Sequence, residues 1–276
     1  MKTKLFATFA TALAMTAAFA PSAQAVGFGF KTNYTLDSRP EVEDKRKGNI
    51  TLDSVEFGDK TITEFSLVEG VNIVTNDVFT GGNSGAASID KGDQADGFKQ
   101  ENLRAGNAED AAKIASTLGN LNLNNIIDTE GGGSFAMDVM FAEAVDNLLI
   151  WERGKNSRLG VQAIDHKGNL VGNFIELAKS NSGNWTDAGY SIDTKEIGSA
   201  QAVASIGLSV ADFGLSEDDS IFGYRMTSKS NYGGPDWKIM GTTDATPASV
   251  PEPAAILGLS LVAGSFAASR RRQASK

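Results

Sequence analysis

The chain has 276 residues, with 25 Lys and Arg against 34 Asp and Glu, one histidine and no cysteine. Its formal net charge of −9 works against nucleic acid and anionic membrane surfaces as partners. Without cysteine there are no disulfides, thiol nucleophiles or cysteine metal sites, and a lone histidine argues against a typical catalytic zinc centre.

The chain opens with Lys2 and Lys4, then an uncharged run from Leu5 to Ala20, then Ala23-Gln24-Ala25. A positive start, an apolar run and small residues at Ala23 and Ala25 are what a signal peptidase reads, so residues 1–25 are expected to be a cleaved signal peptide.

Residues 26–243 are expected to form one β-rich domain. Val26 to Gly48 reads as an initial strand and an exposed loop with the charged run Glu41 to Lys47. Ile50 to Phe57 and Thr61 to Val68 alternate around a Gly58-Asp59-Lys60 turn, and Val71 to Phe79 is a third strand. Gly81 to Gly97 carries five glycines with Asp90, Asp93 and Asp96 and reads as a solvated surface loop. The three aspartates are weak calcium candidates, because their spacing is not that of an EF-hand loop. No cofactor is otherwise expected.

Asn107 to Leu118 is the one helix expected in this body. Asn107 can cap it, Glu109 and Asp110 suit its first turn, and Ala111, Ile114, Ala115 and Leu118 make one apolar face. Gly119 fits a left-handed position after its end.

The clearest β pattern runs from Phe135 to Leu177. Phe135, Met137, Val139 and Phe141 alternate, and Leu148 to Glu152 is a core strand. Arg153 to Asn156 turns, Leu159 to Asp165 follows, His166 to Asn169 turns again, and Leu170 to Leu177 returns. This predicts a three-strand meander. Further strands are expected over Val203–Phe213, Ile221–Thr227 and Asp236–Thr242. Nine or ten strands and one short helix indicate an all-β, jelly-roll-like antiparallel sandwich.

Catalytic groupings are sparse. His166 sits in a turn beside Lys167, the Gly131-Gly132-Gly133 run precedes a strand rather than a helix, and no nucleophile elbow or phosphate loop occurs. Glu152, Asp165 and Glu176 near adjacent strand ends form the one carboxylate set that a glycosidase could use. Trp185, Tyr190, Tyr232 and Trp237, in or beside Gly- and Asn-rich segments, are the candidates for stacking on a sugar, Trp185 first among them, although Trp237, like Trp151, reads as core.

After a linker over residues 244–250 comes Pro251-Glu252-Pro253. An uncharged stretch follows over residues 254–269, then a basic cluster over residues 270–276 that begins Arg270-Arg271-Arg272. Sixteen apolar or small residues make a short transmembrane helix that can cross a thinned bilayer, with the arginines cytoplasmic. The two prolines keep the motif extended and outside the helix.

This three-part order resembles the PEP-CTERM sorting signal of bacteria that possess an exosortase. The resemblance implies transient anchoring in the inner membrane, removal of the tail near Pro251-Glu252-Pro253 by an exosortase-type protease, and delivery to the cell surface or extracellular matrix. The segments Leu149 to Asp165 and Asp219 to Tyr224 are similar to exosortase-dependent surface proteins of cyanobacteria, which implies a surface role with no established enzymatic activity. Of the basic residues two lie in the leading segment and four in the tail, whereas Glu252 is the single acidic residue there. The body thus carries 19 basic against 33 acidic residues, a net charge near −14. The expected function is therefore structural or adhesive. The alternative is a module for extracellular polysaccharide that could use calcium, and a secreted glycoside hydrolase is the remote third.

Overall fold

The computed structural model describes residues 26–36, 48–78, 87–90, 103–179, 185–193, 199–216 and 218–243. The expected signal peptide, linker and sorting tail, with Ala23, Ala25, Pro251 to Pro253 and Arg270 to Arg272, lie outside the described residues, as do Asp93 and Asp96.

The described chain is mostly antiparallel strand. The strands in order are β1 (Lys31–Leu36), β2 (Ile50–Phe57), β3 (Lys60–Ile62), β4 (Val68–Asn76) and β5 (Ala87–Asp90). After the helix α1 (Ala108–Leu118) come β6 (Ile126–Thr129), β7 (Phe135–Val145), β8 (Asn147–Arg153), β9 (Leu159–Asp165) and β10 (Leu170–Leu177). The last are β11 (Thr186–Ile192), β12 (Gln201–Ser209), β13 (Ile221–Ser228) and β14 (Asp236–Thr242), with a 3-10 turn over Val210–Phe213 between β12 and β13.

Three sheets result, with strand orders β1-β2-β3, β10-β9-β13-β7-β4 and β11-β12-β8-β14-β6-β5. The six-stranded sheet lies between the other two. Along β8, Leu148 and Ile150 enter the core shared with the five-stranded sheet, while Leu149 and Trp151 enter the core shared with the three-stranded one. Every residue of β8 and of β14 is buried. A strand covered on both faces reads as a continuous apolar run rather than an alternating one, as Leu148-Leu149-Ile150-Trp151 does. Trp151 places its ring edge-on to Phe30 at 5.4 Å and donates its indole N–H to Thr32 Oγ1 at 3.0 Å, so β1 is fastened to the central sheet.

The all-β sandwich character is as expected, but β6 and β11 are strands that were not expected, the expected strand Val203–Phe213 ends in a 3-10 turn at Val210, and the arrangement differs in three further places. The stretch β8–β9–β10 is not a meander. β9 pairs with β10 and β13 in the five-stranded sheet, whereas β8 pairs with β12 and β14 in the central one. The Gly154–Arg158 connection therefore crosses from one layer to the next. Secondly, Gly81–Gly97 is not all loop, since Ala87–Asp90 pairs with β6. Thirdly, the second expected strand shortens to β3, and the chain then runs irregularly until β4.

The helix closes one open side of the sandwich, packing on β4 and β6. Asn107 caps it, accepting from Asp110 N at 3.0 Å, and Arg104 Nε donates to the buried Asp110 at 2.8 Å. Ile114 and Leu118 are fully buried. Gly119 is not left-handed as expected, with φ of −77°. A Cβ there would lie 2.5 Å from the Val68 carbonyl oxygen, so the glycine serves close approach of helix and sheet.

Candidate functional site

Alternation in the five-stranded sheet sends Met137, Val139, Tyr224, Met226, Val161 and Ala163 into the main core. Their neighbours face outward, and the strand registers line them up in rows. One row runs Asn72, Asp138, Arg225, Gln162 across four strands. Arg225 Nε and Nη2 donate to Asp138 Oδ1 and Oδ2 at 2.6 and 2.8 Å, a bidentate pair. That hydrogen bonding to Asp138 holds the guanidinium even more firmly protonated. Gln162 Nε2 donates to the Gly172 carbonyl at 3.1 Å.

The next row, Ala136, Thr227 and Gly160, is built of small residues. At its end the Phe174 ring lies over Gly160, where an added Cβ would stand 2.5 Å from Phe174 Cζ. Phe174 is 44% exposed. Lys229 Nζ lies 5.7 Å from the centre of that ring and 5.4 Å from that of Tyr232, within cation–π range of both. Tyr232 donates its hydroxyl to Glu176 Oε2 at 2.7 Å, and Arg158 Nη1 donates to Glu176 Oε1 at 3.1 Å. Burial, with the bond to Glu176 second, pushes the Tyr232 phenol up to about 12. The outer face thus offers an aromatic ring, a fixed charged pair and a side-chain amide, held on adjacent strands. Such groups suit a flat, hydroxyl-bearing ligand.

Trp185 is half-buried against the main core and donates its indole N–H to the Ala178 carbonyl at 3.0 Å. Tyr190 is on β11 and buried in the second core, its ring edge-on to Tyr34 at 5.2 Å, and desolvation pushes its phenol well above the ordinary value. Trp151 and Trp237 are core residues. Asp90 is the last residue of β5, opposite Ile126. Among the described residues no group of three or more His, Asp or Glu is placed to hold a metal ion.

The three carboxylates that a glycosidase could use are dispersed. Glu152 is buried in the central sheet, and Glu176 is on the outer surface opposite Gly160. Asp165 sits in the hairpin turn, accepting from Lys167 N, Asn169 N and Asn169 Nδ2. Those bonds, Asn169 foremost, hold its carboxyl below the usual range. His166 in the same turn lies edge-on to Phe222 at 6.4 Å.

A buried ion cluster is the feature with no sequence forewarning. Arg153 Nε and Nη2 donate to Asp236 Oδ2 at 3.0 and 2.8 Å, and Nη2 also reaches Asp128 Oδ1 at 3.2 Å. Asp236 Oδ1 accepts from Thr129 N at 3.0 Å. Cross-strand pairing of Arg153 with Asp236 puts both on the face toward the three-stranded sheet and clamps β6, β8 and β14 at one end. This arrangement orders the scaffold rather than presenting charge to a ligand.

These sheets and this outer face define a layered antiparallel β protein with an open polar–aromatic platform. No family model, curated protein or solved structure matches the chain. Among the described residues no helix is long and apolar enough to cross a membrane, and residues 254–269 are not among them.

Proposed function

We propose that this chain is an exported surface or extracellular-matrix protein with a structural or adhesive role, held briefly in the inner membrane and released by an exosortase-type protease. The observation that carries this reading is the order Pro251-Glu252-Pro253, uncharged residues 254–269, Arg270-Arg271-Arg272, placed a few residues beyond the last strand. A doubly covered central sheet supports it further, since a body without disulfides outside the cell must draw its stability from its core. Cell fractionation with mass spectrometry of both termini tests the reading. A mature product outside the inner membrane, starting near Val26 and ending near Pro251, is expected. An intact Met1 and Lys276 in the cytoplasm would overturn it.

A second reading, an extracellular polysaccharide-binding module, rests on the outer face that carries Phe174, the Asp138–Arg225 pair and Gln162. Glycan-array binding, repeated with chelator for a calcium requirement, tests it. Binding that survives both Phe174→Ala and Arg225→Ala would remove this face from consideration.

A further inference from the structure

Four polar side-chain atoms are buried at one end of the main core without a protein hydrogen-bond partner: Glu152 Oε1, Thr129 Oγ1, Ser228 Oγ and Trp237 Nε1. Such orphans are uncommon, and each is costly when nothing meets it. Four on one locus call for a common explanation.

The contacts around them close into a ring. Trp237 is the cross-strand partner of Glu152. The Trp237 ring stacks on Phe135 at 5.9 Å, and Phe135 is the cross-strand partner of Ser228. Ser228 leads into the 229–235 loop, whose Gly234 lies against the Thr129 carbonyl. The Ser157 hydroxyl meets the Gly233 and Gly234 carbonyls at 2.8 and 2.9 Å and sits beside the Glu152 carboxyl. That hydroxyl also lies 3.0 Å from Asn156 Oδ1, and Glu152 Oε1 has no partner within hydrogen-bond reach. Strand alternation places Thr129 on the same face as Ile127, and Ser228 on the same face as Met226, both in the main core. All four atoms therefore face one locus beneath the 229–235 loop.

We infer that this locus is an internal hydration site, in which ordered water joins Glu152, Thr129, Ser228 and Trp237. The chemistry favours water over an ion. The indole N–H only donates, the two hydroxyls donate and accept, and Glu152 is the single acid among the four. The ionised cluster of Asp128, Arg153 and Asp236 lies on the opposite face of the sheet. A buried water requires two to four polar partners, and four are present. The site links the central sheet to β13 at the place where the layers would otherwise meet through mismatched polar groups.

A high-resolution crystal structure of the purified native protein, with water–protein nuclear Overhauser effects in solution, tests this. Ordered, slowly exchanging water within hydrogen-bond reach of at least two of the four atoms is expected. A dry locus overturns the inference. Denaturant midpoints give an independent reading. Thr129→Val and Ser228→Ala should each lower the midpoint, because a bound water loses a partner. Midpoints at or above the wild-type value in both variants would show that the hydroxyls were unmet, and would equally overturn it.

Discussion

Lys238 Nζ donates to the Thr117 carbonyl across 2.9 Å, joining the middle strand pair of the central sheet to the last turn of α1. A second bond reaches Asn120 Oδ1 at 3.2 Å. The ammonium thereby shares with Asn120 Nδ2 a carbonyl of the last helical turn, where the helix dipole favours a cation.

Complete burial drives the Lys238 amine well below its ordinary value. Between that depressed value and the ordinary lysine value the unfolded chain binds more protons than the folded one, so stability rises with pH across that window. Lys238→Met should abolish this rise. Urea melts of both proteins at several alkaline pH values check it.

Glu152 works in the opposite sense. Desolvation, with the Asp236 charge second, pushes its carboxyl well above the ordinary value. Above the unfolded carboxylate value the unfolded chain loses the proton and the folded chain keeps it, so this residue makes stability fall as pH rises until the folded value is reached. Glu152→Gln should flatten the profile through neutral pH, which thermal melts from about pH 4 to 9 would show.

Arg153→Ala strands Asp236 and Asp128 in a buried site. A loss of about 3–5 kcal/mol is expected, measured by denaturant unfolding. Arg158→Ala breaks a half-exposed pair with Glu176 and should cost about 1 kcal/mol or less.

Gly234 has φ of +69°, and a Cβ there would meet the Thr129 carbonyl oxygen at 2.1 Å. Gly58 has φ of +60° with nothing within 4 Å. Gly58→Ala should therefore cost only the left-handed backbone penalty of about 1–2 kcal/mol. Gly234→Ala should exceed it clearly, because backbone must move. Parallel thermal melts compare the two.

The alternation of Phe135 to Phe141 and the cap at Asn107 made β7 and α1 readable, because one-sided burial writes its period into the sequence. β8 was readable as a core strand, but nothing in an all-apolar run says which sheet it joins, and its short link to β9 looks like a hairpin turn. β11 escaped because Asp187, Ala188 and Gly189, residue types that strands disfavour, make up the first half of its alternation and leave only Tyr190 and Ile192 to mark it. The ion cluster left no local trace, since Arg153 and Asp236 are 83 positions apart. Of the outer platform only Tyr232 stood among the candidate stacking rings. Phe174 gains meaning only from Gly160 on the neighbouring strand and Lys229 beyond β13, while Trp185 and Tyr190 drew attention through residue type alone.

The strand order β11-β12-β8-β14-β6-β5 has a consequence for biogenesis. β14 is the final strand among the described residues yet sits between β8 and β6, so a nascent polypeptide that stops short of Asp236 has two half-sheets and no seam. The layers on either side cannot lock until almost the whole body has been made, and the unfinished chain stays loose until then.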